Sequence, residues 1–264
     1  MNCPKPALAL IVTLLLVPSL CLTQGVPGTN LVVHVRVTSI AISRDVTRIT
    51  YVLKNDAGSR ERLSTFIVNV PGPYSEVKWI SRPSPQRNWM THEKFGERRV
   101  VGWSVLGNQM TPGEESPELM FDAVGLPTIV TSWIEGYTPP STEIPSDTLP
   151  LRDVAMVPDS TVGVEYDAVF QSPELLLIRL RRLATQACSK TLAWMTSAAV
   201  CIGLDTKLAA ASERLRQADS PGARVQLRSF LTQLAAAHGP GGSVNDSAYW
   251  LLKANAGFIL KQRF

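Results

Sequence analysis

The sequence predicts a mixed two-domain chain: an all-β antiparallel sandwich followed by a small all-α helical bundle. Three observations carry this. Short runs alternating apolar with polar residues recur between about residues 31 and 137, separated by turn residues and never by a helix-length segment. Six prolines (139, 140, 145, 150, 158 and 173) then mark a stretch that excludes regular helix. From Ser172 onward the apolar period changes from two to helical spacing. The composition of the 264 residues, with 18% charged and 45% apolar, is that of a folded chain and excludes wholesale disorder. With 17 Gly, 19 Pro and 4 Cys, collagen-like, coiled-coil and cysteine-knot classes are excluded as well.

The first 25 residues read as a signal peptide. Lys5 supplies a weakly basic start, and Ala7 to Val17 is apolar except for Thr13. Spanning a bilayer takes about 20 apolar residues, so this run has the length of a signal core and not of a membrane helix. Pro18 breaks it, and cleavage is expected between Leu20 and Val26. Acylation of Cys21 is disfavoured by Leu20, which stands where a small residue is wanted. No later stretch is long and apolar enough to span a membrane, so the mature chain is expected to be exported: secreted, periplasmic or peripheral to the cell envelope. Cys3 and Cys21 leave with the signal, and Cys188 and Cys201 remain in an oxidising compartment. Their separation is too wide for a CxxC redox or zinc motif. Two readings stay open for them, a disulfide and a pair of buried free thiols.

The sandwich is expected over residues 26–140. Leu31, Val33, Val35 and Val37 alternate with Val32, His34, Arg36 and Thr38, giving a strand with one apolar face. A second strand runs through Ile49, Tyr51 and Leu53, and Asn55-Asp56-Ala57-Gly58 is turn chemistry. Leu63 to Val70 is a β-rich run stopped by Pro71-Gly72-Pro73. Further strands are expected at Val77–Ile80, Asn88–His92, Arg98–Leu106, Leu119–Ala123 and Thr128–Tyr137. The absence of crossover helices points to antiparallel pairing. Trp103, on one alternating face with Val101 and Val105, reads as core, and Trp89, next to Asn88 and near His92, as the most exposed of Trp79, Trp89, Trp103 and Trp133. Residues 141–172 read as the proline-rich linker, with Val162 to Phe170 a candidate strand returning to the sandwich. Loosely, this half resembles immunoglobulin-like or fibronectin-like sandwiches through Ile49-Thr50-Tyr51, Val100-Val101-Gly102-Trp103 and the Thr111-Pro112-Gly113 turn.

Residues 173–264 read as four amphipathic helices. Ser172-Pro173-Glu174 is a helix start: a capping hydroxyl, proline at the first position and an acid in the first turn. Leu176, Leu180, Leu183 and Ala187 then face inward. Leu204, Leu208, Ala211 and Leu215 mark a second helix. Ser220-Pro221 opens a third, with Leu227, Leu231 and Leu234 inward, and His238-Gly239-Pro240-Gly241-Gly242 ends it. A fourth runs from about Val244 to Leu260 with Ser243 as its expected cap. Gln226 and Asn255, beside core-facing positions, read as polar residues that fix helix register through buried hydrogen bonds.

Several stretches here resemble the FIMAH domain, a helical module near the C-termini of exported bacterial proteins. They are Leu192-Ala193-Trp194-Met195, Gly203 to Ala211, Ala223 to Leu231 and Ala248 to Ala256. The resemblance covers about residues 174–263. It implies a non-catalytic module and a cysteine pair around the tryptophan turn, matched by Cys188 and Cys201. Ala193 stands where the family tends to have glycine, and Ala198-Ala199 where Asn-Ala-Gly is common.

Charge is unevenly placed. Residues 26–145 hold twelve basic and twelve acidic side chains, whereas 174–264 hold twelve basic and five acidic. Much of the excess is arginine, and Arg214, Arg216, Arg224 and Arg228 are the candidates for holding an anionic partner. The plainer reading is a solvated helical face. No catalytic, cofactor or metal motif is present: there is no GxSxG, P-loop or GxGxxG, and His34, His92 and His238 have no metal-spaced partner. Glu114, Glu115 and Glu118 share one loop, where a charged hairpin tip is a commoner explanation than a calcium site. The expected function is that of an exported, non-catalytic binding or structural protein. Its partner would be an unknown protein or an acidic polysaccharide of the envelope, with no specific nucleic-acid signal. The alternatives are a carbohydrate-active hydrolase, or an assembly factor pairing through a sandwich edge strand.

Overall fold

The computed structural model describes residues 31–70, 74–80, 88–95, 98–137 and 157–262. The expected signal peptide and most of the expected linker lie outside these residues. Among the described residues, nine strands precede four helices: β1 (Val33–Ser43), β2 (Val46–Asn55), β3 (Arg62–Asn69), β4 (Tyr74–Ile80), β5 (Asn88–Phe95), β6 (Arg98–Leu106), β7 (Glu118–Val124), β8 (Leu126–Tyr137) and β9 (Val157–Glu165), then α1 (Pro173–Ala187), α2 (Ala198–Arg216), α3 (Ser220–Ala236) and α4 (Asp246–Lys261). The strands form two antiparallel sheets, one of order β1-β2-β7-β4 and one of order β5-β6-β3-β8-β9. A sandwich followed by a helical region is thus the architecture. The returning strand is Val157–Glu165, beginning five residues earlier than the expected Val162. A 3-10 turn at Tyr166–Phe170 replaces its expected end and leads into α1.

The alternation in the sequence is physically realised with one irregularity. Leu31 and Val37 are buried, but the register against β2 shifts between Val37 and Ser39, after which the buried position is the even-numbered Ile40. A bulge of this kind inverts which parity faces the core. Between the sheets sit Tyr51, Phe66, Trp103 and Phe121, all fully buried, with ring centroids 5.5–6.5 Å apart in edge-on, tilted and stacked pairs. Trp133 is half-buried; the side chains of Trp79 and Trp89 lie outside the described residues. The Tyr51 hydroxyl donates to the Val162 carbonyl, joining β2 of one sheet to β9 of the other. Gly125, at φ 136°, makes the one-residue turn between β7 and β8, and a Cβ there would meet the Glu165 carbonyl.

Capping fixes the helix starts. Ser172, Ser197, Asp219 and Asn245 each accept a backbone N–H of the first turn. The cap of α4 is therefore Asn245 and not Ser243, whereas α3 begins at Ser220 as expected, capped by Asp219. Leu176, Leu180, Leu183, Ala187, Leu204, Leu208, Ala211, Leu227 and Leu234 are buried as their spacing predicts, while Leu215 and Leu231 are partly buried. The α1–α2 connection, with Trp194 and Met195 buried, is held against the α3–α4 loop: Thr196 N–H donates to Ser243 O and Asn245 N–H to Trp194 O.

Candidate functional site

The helices are joined to the sandwich through a buried polar knot. Arg179 of α1 is 4% exposed although four of its neighbours in sequence are apolar. Its guanidinium donates to Glu165 Oε2 at the end of β9 (2.9 Å), to Asn255 Oδ1 of α4 (2.5 Å) and to the Pro127 carbonyl of β8 (2.9 Å). Asn255 in turn donates from Nδ2 to the same Pro127 carbonyl (3.0 Å) and to Leu251 O (2.8 Å). Burial pulls the Arg179 pKa below that of a free guanidinium, and the bond to Glu165 opposes the pull. Around the knot the buried apolar side chains form a single cluster that runs from the sandwich through α1 and α4, with Val33 and Val35 of β1 packed on it. Asn255 thus has the buried hydrogen-bonding environment its position suggested, but it fastens α4 to a strand as well as to α1. Gln226 is partly exposed.

Cys188 and Cys201 form a disulfide, with Cα atoms 6.1 Å apart, tying the end of α1 to the first turn of α2. Ala193 in the intervening turn holds φ 49°, a left-handed conformation that glycine adopts more easily.

The four arginines expected to hold an anion have unequal surroundings. Arg214 pairs with Asp219 at 3.2 Å, across the α2–α3 corner. Arg216 binds Glu213 through two nitrogens (2.9 and 2.6 Å), which lowers the Glu213 pKa and raises its own. Arg224 is turned inward on the end of α4, donating to the carbonyls of Leu260 and Gln262 at 2.6 Å each. It neutralises the carbonyl end of that helix. Arg228 is exposed, with no ion pair among the described residues.

A different surface stands out. An open groove of about 740 Å³ runs between α1 and α2 on the outside of the helical region. Ile178 and Ile202 line it although 62% and 68% exposed. Ala184, Thr185, Thr206, Ser212 and the disulfide line it as well. Arg181 and Arg182 contribute its basic side. Arg181 grips Asp205 with two nitrogens (2.5 and 2.9 Å), so that hydrogen bond holds the Asp205 carboxyl below the ordinary carboxylate range. Arg182 is 61% exposed, and its nearest acid, Glu165 at 4.0 Å, is already bonded to Arg179. Leu175, at helical spacing from Ile178, is also exposed at 53%. This face was available to sequence reasoning. Leu175-Leu176-Leu177-Ile178 is four apolar residues in a row on a helix, and a helix with one buried face cannot bury all four. Likewise Arg179 lies three residues after Leu176 and four before Leu183, at an inward position.

Elsewhere, Glu114 accepts the Thr111 N–H at 2.6 Å, closing its own turn. Among the described residues no group of three or more His, Cys, Asp or Glu side chains is placed to hold a metal ion, and no helix is long and apolar enough to cross a membrane.

No protein-family model matches the chain, and no curated protein matches it. Among solved structures, similarity is found to an uncharacterized protein from Nocardia farcinica with an immunoglobulin-like fold, at 11% identity and a TM-score of 0.29, over 43% of this chain and 88% of that one.

Proposed function

We propose that this is an exported, non-catalytic binding protein in which the sandwich is the scaffold and the helical region, a FIMAH-like module, is the docking element. One observation carries the reading. The inner side of the helices is fastened to the sandwich by Arg179 and Asn255, whereas the opposite side of α1 and α2 presents exposed isoleucines beside arginines. Exposed apolar side chains lining a groove bordered by charge offer a partner both burial and electrostatic complementarity. The groove's acid, Asp205, is locked to Arg181 as a carboxylate, which suits a structural ion pair and not a proton donor. Export is supported by the apolar run Ala7 to Val17 and is compatible with the Cys188–Cys201 disulfide.

Docking by the basic module is tested with the chain from residue 26 to 264, on immobilised heparin as the acidic polymer and on an uncharged dextran control. Retention is expected at low salt and release at high salt, as screening weakens exposed charges beyond about 8–10 Å. Arg228→Glu is expected to elute earlier. Arg224 is not used, since its removal uncaps α4. Equal behaviour on heparin and dextran would remove the basic surface from the proposal. Fusing residues 1–30 to an alkaline phosphatase that is active only after export tests the localisation, and an inactive fusion refutes it.

A further inference from the structure

We propose that the α1–α2 groove receives an amphipathic helix of about three turns from a partner protein, with acidic residues flanking its apolar stripe. The inference rests on the docking reading above and names the site and the chemistry of its occupant.

The occupant follows from the lining. From Ile178 to Cys188, the residue capping α1, the groove runs along ten helical steps, about 15 Å at the helical rise of about 1.5 Å per residue. That is the length of three turns of a helix. Ile178 and Ile202 contribute apolar side chains from the two helices. Ala184, Thr185, Thr206 and Ser212 are small, so a partner backbone can come close. An extended peptide would enter without a strand edge to pair with, leaving its amides unbonded against an apolar surface. A helix satisfies its own backbone and brings only side chains. A sulfated or carboxylated sugar would answer the arginines but not the isoleucines.

The charge of the occupant follows from Arg182. Its guanidinium is more than half exposed, and the nearest carboxylate is engaged by Arg179. Arg181, beside it, remains bound to Asp205. One carboxylate, Glu165, thus serves both Arg179 and Arg182, and the groove lining keeps a positive excess with Arg181 and Arg182 against Asp205, in a module where basic residues outnumber acidic ones twelve to five. Glutamates on an incoming helix complement it, and lysines there are repelled.

The probe is a fluorescein-labelled synthetic helix of about 14 residues, with leucines at i, i+4 and i+7 and glutamates on either side of that stripe. Its anisotropy is followed against residues 26–264. Binding is expected to weaken more than tenfold when the glutamates are replaced by lysine, or the leucines by serine. Ile178→Asp and Ile202→Asp are each expected to weaken it at least tenfold, and Arg182→Glu severalfold with a flatter salt dependence. The isoleucines are solvent-exposed, so these variants are expected to keep the wild-type circular dichroism. The two peptide controls read the unmodified protein and need no variant to fold. Equal binding of the glutamate and lysine peptides, or unchanged binding by both isoleucine variants, overturns the proposal while leaving the heparin result standing. A concentration-dependent dimer in sedimentation, abolished by Ile202→Asp, overturns it in favour of a second copy as occupant.

Discussion

Removing the guanidinium of Arg179 is expected to cost the protein about 4 kcal/mol, and the structure says where each part comes from. In Arg179→Ala, Asn255 Oδ1 loses its donor while remaining buried, a penalty of about 1–3 kcal/mol. Pro127 O is less affected because Asn255 Nδ2 still reaches it at 3.0 Å. Glu165 is 35% exposed, so water replaces the lost partner and that contact is worth about 1 kcal/mol or less. The buried methylene stem adds about 2 kcal/mol of lost apolar burial, at roughly 0.8 kcal/mol per methylene. Arg179→Met keeps most of the stem and is expected to cost about half as much. Because the knot bonds α1, α4, β8 and β9 at one point, Arg179 and Asn255 should not be additive: a cycle with Asn255→Ala should show about 1 kcal/mol or more of coupling. The assay is urea unfolding followed in parallel by tryptophan fluorescence and far-UV circular dichroism. The wild type is expected to unfold in one transition with both probes, since one apolar cluster spans strands and helices. Arg179→Ala is expected to separate them. A stability loss under about 1 kcal/mol, or two well-resolved transitions in the wild type, would refute the idea that this knot couples the two halves.

Three further outcomes are expected. Replacing Cys188 and Cys201 by serine should lower stability by about 3 kcal/mol, the loop-entropy value for a closure of this length, measured by urea unfolding against the oxidised wild type. Ala193→Gly should raise it by about 0.5–1 kcal/mol: a left-handed non-glycine residue costs about 1–2 kcal/mol, and glycine's extra freedom in the unfolded chain returns part of that. Melting temperature should be level from neutral pH to about pH 5 and fall below about pH 4. Asp205, Glu213 and Glu174 have carboxyls held below their ordinary values, by Arg181, by Arg216 and by the Ser172 hydroxyl, so their stabilisation is present above the unfolded pKa and is lost as pH drops through the folded one. Arg181→Gln should flatten that acid limb, and a limb unchanged by this substitution would show that Asp205 does not contribute to it.

The strands were legible because a half-buried strand advertises itself twice, by alternation and by the turn residues at its ends. β2, β3, β6 and β8 lie within a few residues of where Ile49–Leu53, Leu63–Val70, Arg98–Leu106 and Thr128–Tyr137 put them. β1 was longer than it looked. The bulge after Val37 breaks the alternation, and the turn to β2 is made by Arg44 at φ 57°, a residue with no turn signature. The helices were legible from leucine spacing, and Ser220-Pro221 marked the start of α3, but the cap of α4 moved because Asn245 competes with Ser243 for the same role. The sandwich–helix joint was not legible at all. Glu165, Arg179, Asn255 and the Pro127 carbonyl come from four elements spread over more than half of the described chain, and no local pattern links them.

The same comparison changes where a partner should be sought. A count of arginines treats each as an equal unit of surface charge, and it draws attention to Arg214, Arg216, Arg224 and Arg228. Their environments are unequal. Arg214 and Arg216 sit in ion pairs, and Arg224 is turned onto the end of α4. Arg179, a fifth member of the apparent excess, is buried at the joint. An exposed ion pair contributes little net field, because its two charges cancel within a few ångströms and salt screens what is left. What attracts and then holds a partner is a cation lacking its own acid, placed beside apolar surface that water leaves readily. Arg182 has only the carboxylate it shares with Arg179, and it stands beside Ile178 and Ile202 in one groove. On these grounds the α1–α2 face, and not the arginine count on α2 and α3, is where specific recognition is expected. The remaining basic side chains would then add a salt-sensitive, less selective attraction.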